Sequence, residues 1–222
     1  MKPSALQEAV LDLRYLLNRG YPRSSAVEFV ANHFRLSKLE RYFLTRCVFS
    51  KEESRAHLAK LVRMGAVRGK RLGIDGYNVL ITLESLMLGH LVVRCDDGLL
   101  RDLRGVFGRY KFSKEKHPVL EALLDIVQMA RPARADIFFD KQVSRSGELA
   151  AALRAMLRER GIEGTAVAVA QADTKLRGYE VVASSDRIVI DRAQRVWDLP
   201  AEFARKHAIE VVDLRKLTSL SL

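Results

Sequence analysis

Cysteine is almost absent: Cys47 and Cys95 are the only two in 222 residues. A pair so far apart builds neither a disulfide framework nor a zinc site. No apolar run approaches the roughly 20 residues that a bilayer-spanning helix needs. The opening residues reach Gln7 and Glu8 before a signal peptide's apolar stretch can form. These absences predict a soluble protein of a reducing cytoplasm, with no membrane partner. A P-loop and a GxGxxG turn are missing as well, and no internal repeat or low-complexity tract is present. His33, His57, His90, His117 and His207 are scattered without metal-ligand spacing, and none is paired in sequence with a nucleophile. What remains is ordinary globular material. Hydrophobic residues make up 48% and charged residues 29%, enough apolar side chain to exclude wholesale disorder.

Charge is unevenly placed. The formal net charge is +11. Residues 1–72 hold 15 Lys/Arg against 6 Asp/Glu, so their net is 15 − 6 = +9; the remaining 23 against 21 give 23 − 21 = +2. A basic N-terminal third joined to a nearly neutral remainder points to a polyanionic partner, nucleic acid before membrane. The bland reading of the same charge is a well-solvated surface.

The basic third reads as helices. Ser4-x-x-Gln7, Ser25-x-x-Glu28, Ser37-x-x-Glu40 and Ser50-x-x-Glu53 each match the reciprocal capping box, followed by apolar residues at helical spacing. The pattern predicts helices near 4–18, 25–34, 37–48 and 50–66, the central two spaced as in a helix-turn-helix or a plain bundle. Arg14, Arg19, Arg23, Arg35, Arg41 and Arg46 are its candidate phosphate contacts.

Beyond Lys70-Arg71 short apolar runs alternate with helical stretches. Leu72–Ile74, Ile137–Phe139, Ala166–Ala170, Tyr179–Ala183 and Ile209–Val212 read as strands of a mostly parallel, doubly wound sheet. Leu99–Phe107 and Val119–Met129 read as helices, and Arg109–His117 as an exposed loop. The chain thus divides at residue 70 into a small all-helical domain, 1–70, and an α/β domain, 71–222.

Acids follow these strands. Asp75 and Asp140 come directly after theirs, Asp173 three residues after Ala170, and Asp186 after Ser184-Ser185. Any one of them reads equally well as a helix N-cap or turn residue. Four at one sheet edge would repel unless protons or cations compensate them, and Mg²⁺ or Mn²⁺ suits oxygen ligands. Such a pocket fits metal-assisted hydrolysis of a phosphodiester.

Asp75-Gly76-Tyr77-Asn78-Val79-Leu80 resembles the opening motif of the PIN-like and NYN ribonuclease superfamily. Ser184-Ser185-Asp186-Arg187 is similar to its late segment. The whole order also resembles an uncharacterised family that fuses a helical N-terminal domain to a PIN-like domain. The resemblance implies a metal-dependent endoribonuclease-like site with Asp75 and Asp186 as central ligands, and it alone puts RNA before DNA as the partner. It further implies Asp140 and Asp173 as additional ligands or water positioners, Asn78 on a carboxylate or the scissile phosphate, and Ser185 orienting Asp186. The acid usually supplied by an early helix has three competing counterparts, Glu84, Asp97 and Asp102. Ser144-Arg145-Ser146-Gly147, ahead of a helix, suits a phosphate or simple capping. Arg101, Arg104 and Arg109 suit a nucleic-acid path or an exposed helix face. A non-catalytic nucleic-acid-binding scaffold is the alternative function. A phosphoaspartate phosphatase fits less well, because Tyr77 stands where its second Asp belongs. The RNA, the number of metals and the oligomeric state stay open, a homodimer included.

Overall fold

The computed structural model describes residues 4–105, 110 and 117–216. Two compact units share the chain. One comprises Met1–Ala59, Leu91–Gly105 and Val211–Leu222, the other Lys60–His90 and Val106–Glu210. A single cut at residue 70 does not describe this division, because segments distant in sequence rejoin the N-terminal helices.

In the first unit α1 (Ala5–Asn18), α2 (Arg23–His33), α3 (Lys38–Cys47) and α4 (Lys51–Lys60) follow one another. The capping boxes of Ser4 and Ser37 form as expected, with each hydroxyl on the N3 amide and the Gln7 or Glu40 side chain returning to the cap. Ser50 and Glu53 exchange the same bonds. Ser25 does not cap α2. That helix begins two residues earlier, after Pro22, whose fixed φ suits a helix start. Leu13, Val30, Ala31, Leu44 and Cys47 meet in one core that also takes Val93, Cys95, Leu103 and Leu214.

Val93 lies in a small sheet absent from the sequence reading, and Cys95, Leu103 and Leu214 each directly follow one of its strands. β3 (Val92–Arg94) pairs antiparallel with β4 (Leu100–Asp102) and parallel with β9 (Val212–Asp213). The stretch expected to be a helix from Leu99 therefore opens as a strand. Asp97-Gly98, with Gly98 at φ 83°, turns the hairpin. The run near Ile209–Val212 likewise joins this sheet rather than the large one. Arg109 and the loop 109–117 fall, except for Tyr110 and His117, outside the described residues.

In the second unit the order is β1 (Leu61–Val62), a 3-10 helix (Met64–Val67), β2 (Arg71–Asp75), α5 (Gly76–Met87), α6 (His117–Ala130) and β5 (Arg134–Asp140). Then come α7 (Ser146–Glu159), β6 (Gly164–Val169), α8 (Ala172–Lys175), β7 (Val181–Ala183), α9 (Arg187–Arg192), β8 (Val196–Trp197) and α10 (Leu199–Lys206). α4 stops at Lys60, short of the expected 66, because Leu61 and Val62 pair with Val196 and Trp197.

The strands form a six-stranded sheet, β1-β8-β7-β2-β5-β6, in which each neighbouring pair is parallel. This is the doubly wound α/β core. Ile137 and Phe139 on β5, and Leu72 and Ile74 on β2, are fully buried, as strands covered on both faces require. α5 buries ten of its twelve residues, Gly76 to Leu86 with only Asn78 excepted, which marks a helix enclosed on nearly every side.

Candidate functional site

The chain winds outward from β2 through β5 to β6, then returns to lay β7 on the other flank of β2. β2 and β7 therefore border the point where strand order reverses. In open α/β sheets the crevice beyond the carboxyl ends of such strands receives ligands. Asp75 ends β2, and Ser184, Ser185 and Asp186 follow β7.

Two pairs of side chains bind these loops together. The Ser184 hydroxyl donates to Asp75 Oδ2 at 2.8 Å and accepts the Asp186 backbone N–H at 3.0 Å. The Ser185 N–H and hydroxyl both donate to Asn78 Oδ1, at 3.0 and 2.6 Å. The backbone donor requires oxygen at that position, so the Asn78 amide is oriented with Nδ2 left to donate elsewhere. The resemblance implied that Ser185 orients Asp186. The Ser184 hydroxyl takes the Asp186 N–H, and Ser185 holds Asn78.

Gly76 explains how the third acid comes near. A Cβ on Gly76 would lie 2.2 Å from the Phe139 ring, so only glycine lets the end of β5 close on the start of α5. Asp140 follows Phe139 directly, and Tyr77 packs edge-on to that same ring. Asp140 Oδ1 accepts the Ala172 N–H at 3.1 Å.

Electrostatics records the convergence. Burial, against the Ser184 hydroxyl bond and helped by the neighbouring charges of Asp186 and Asp140, brings the Asp75 carboxyl up to about 7. Tyr77 is raised to about 12 by burial and by Asp140. No Lys, Arg or His among the described residues forms an ion pair with Asp75, Asp140 or Asp186. Asp186 is exposed, and its Oδ1 accepts the Ile188 and Val189 N–H groups as the N-cap of α9. Among the described residues no group of three or more His, Cys, Asp or Glu side chains is arranged to hold a metal ion.

The remaining candidates separate. Asp173 sits on α8 and pairs with Arg192 at 3.4 Å; Asp75's acidic neighbours are Asp186 and Asp140. Glu84 lies buried on α5, eight residues past Gly76, about 12 Å along the helix axis. Asp97 and Asp102 belong to the other compact unit. There Asp97, 0% exposed, takes a bidentate bond from Arg101, 2% exposed, and faces His57 Nδ1 at 3.0 Å. Arg101 is thus turned inward on a carboxylate and is withdrawn from any nucleic-acid path. Arg145, at φ 63°, precedes α7 and is held by Glu148 at 2.7 Å.

Of the N-terminal arginines, four have internal partners. Arg14 binds Asp96, and Arg23 binds the Val48 carbonyl and Glu53. Arg41 donates to the Leu36 and Ala31 carbonyls, and Arg46 to the Tyr42 hydroxyl. Arg19 and Arg35 are exposed, Arg35 in the left-handed turn between α2 and α3. A hollow of about 790 Å³ lined by Arg131, Ala133, Arg160 and Glu163 lies beside the starts of β5 and β6, at the sheet edge opposite the acids.

Comparison with known proteins gives two family matches. Residues 64–202 match the family described as "Domain of unknown function (DUF5616)", and residues 5–60 match "Protein of unknown function (DUF434)". Neither is a PIN or NYN family. The chain is also similar to the "Uncharacterized protein MJ0935" of Methanocaldococcus jannaschii, at 39% identity over 200 residues, covering 89% of this chain and 96% of that protein. No solved structure gives a significant match.

Proposed function

The chain belongs to the family of the domain of unknown function DUF5616, and we propose that its α/β unit is a PIN-like, metal-dependent nuclease hydrolysing RNA phosphodiesters. The observation that carries the reading is Asp75. It is half-buried at the switch point, raised to about 7, flanked by Asp140 and Asp186, and has no cationic partner among the described residues. Carboxylates gathered in this way call for a compensating charge, and an all-oxygen donor set suits Mg²⁺ or Mn²⁺.

Asp75, Asp140 and Asp186 would hold the ion, with Asp140 and Asp186 each offering the Oδ2 that no backbone amide engages. When bound, such an ion supplies Lewis acidity and lowers the pKa of a water. Asp75 would give up its proton on binding, and the Ser184 hydroxyl would keep its carboxylate oriented. Asn78 Nδ2 would donate to a phosphate oxygen, its amide locked by Ser185. Asp173, paired with Arg192, stands outside this set. The exposed arginines among the candidate phosphate contacts, Arg19 and Arg35, would hold the phosphate backbone.

A nucleic-acid-binding scaffold without cleavage is the second reading. It is favoured by Asp186 acting as an N-cap and by the lack of a ready three-ligand group among the described residues. Cleavage of single-stranded and structured RNAs with Mn²⁺ or Mg²⁺ separates the two. Wild type should cleave, Asp186→Asn should not, and Asp125→Asn, on α6 beside Arg160 at the opposite sheet edge, should cleave as wild type does. Cleavage that survives in Asp186→Asn would refute the assignment.

A further inference from the structure

Tyr15 and Tyr21 are each 55% exposed, and both stand at the C-terminal end of α1, Tyr15 in its last turn and Tyr21 two residues past the cap. Gly20, at φ 78°, donates its N–H to the Leu17 carbonyl, and the Tyr21 N–H reaches back to the Leu16 carbonyl at 3.2 Å. This is the paired-bond helix stop in which the residue after the glycine folds over the last turn. Such a residue ordinarily buries an apolar side chain against that turn. Tyr21 stays exposed instead, beside the residue that follows Tyr15. The guanidinium of Arg19, the cap residue, lies 3.8 Å above the Tyr15 ring. Asn18 Oδ1 accepts the Lys51 N–H at 2.7 Å, so the exposed Lys51 adjoins the same corner. Nearby Glu53 is engaged by Arg23 and Ser50; Glu52 and Asp12 are the exposed acids of the neighbourhood.

We propose that Tyr15, Arg19 and Tyr21 form a stacking platform for the unpaired bases of single-stranded nucleic acid. The inference rests on the nucleic-acid reading above and adds strandedness and mode of contact. Two exposed phenols and a guanidinium already stacked on one of them present π surfaces that any base fits, without sequence preference. The net charge of +9 over residues 1–72 supplies the attraction for a polyanion. With Arg14, Arg23, Arg41 and Arg46 engaged internally, Arg19 and Lys51 are the cations at this corner that face water.

The test uses the full chain with divalent ions chelated, so that binding is read without cleavage. Fluorescence anisotropy would compare a labelled 12-nucleotide RNA, its duplex and an abasic strand of equal length. Wild type should bind the single strand at least tenfold more tightly than the abasic strand or the duplex. Tyr15→Ala with Tyr21→Ala should lose roughly tenfold per tyrosine on the single strand and keep the salt dependence of wild type, since no phosphate contact is removed. Tyr15→Phe with Tyr21→Phe should bind as wild type. Undiminished binding by the double alanine variant, or equal wild-type affinity for abasic and normal strands, would overturn the platform while leaving the nucleic-acid reading intact. Failure of wild type to bind any of the three at low salt would overturn both and leave the corner as a docking surface for a protein.

Discussion

The Ser184 hydroxyl donates to the Asp75 carboxylate at 2.8 Å across the boundary of β2 and β7. It also receives the Asp186 amide at 3.0 Å, so one side chain sets the position of two acids. Ser184→Ala should leave the fold intact, at a cost of about 1–3 kcal/mol for the two lost bonds. It should weaken Mn²⁺ binding by about 10- to 100-fold, as the loss of groups that orient metal ligands does. Calorimetric titration checks the affinity and thermal melting the fold; unchanged Mn²⁺ affinity would remove Ser184 from the site.

Asp75 makes stability depend on pH. Its folded value of about 7 lies above the ordinary carboxylate range, so the folded chain binds the extra proton. The stability present at low pH is lost as pH rises from about 4 through 7. Asp75→Asn carries no such proton. In chelator at pH 8 it should be more stable than wild type by about 1–4 kcal/mol, the gap closing toward pH 4. Urea unfolding at pH 8, 6 and 4 measures it, and a gap independent of pH would show that the Asp75 proton is not its source.

Burial alone would raise Asp97, but the Arg101 guanidinium and its bonds hold it down at about 2. The sign is opposite to that of Asp75: this stability is present above about pH 4 and is lost as pH falls toward 2. Arg101→Met should cost about 3–5 kcal/mol by stranding a buried carboxylate, and adding Asp97→Leu should recover much of it. A double-mutant cycle in urea reads both. Equal losses in the single and double variants would show that packing, not charge, is what Arg101 supplies.

Local rules were legible and distant pairings were not. The hydroxyl and acid of Ser4, Ser37 and Ser50 form their boxes because those bonds close within one turn. Asp75-Gly76 announced a strand end, and Phe139 on Gly76 explains the glycine. Asp173 reads in sequence as an additional ligand or water positioner, yet Arg192, nineteen residues on, pairs with it. Asp97-Gly98 carried a hairpin signal that a helical expectation overrode. The parallel pairing of Val93 with Val212 joins segments more than a hundred residues apart, for which no local pattern exists. His57 meeting Asp97 depends on that same non-local packing.

The most direct measurement is Mn²⁺ titration of the intact protein, followed by electron paramagnetic resonance of the free ion. Wild type should take up Mn²⁺ at one or two sites, and Asp173→Asn should bind as wild type does. Asp75→Asn and Asp186→Asn should each abolish uptake. A wild type that leaves Mn²⁺ free, or Asn variants that bind it as tightly as wild type, would contradict a metal site at the ends of β2, β5 and β7.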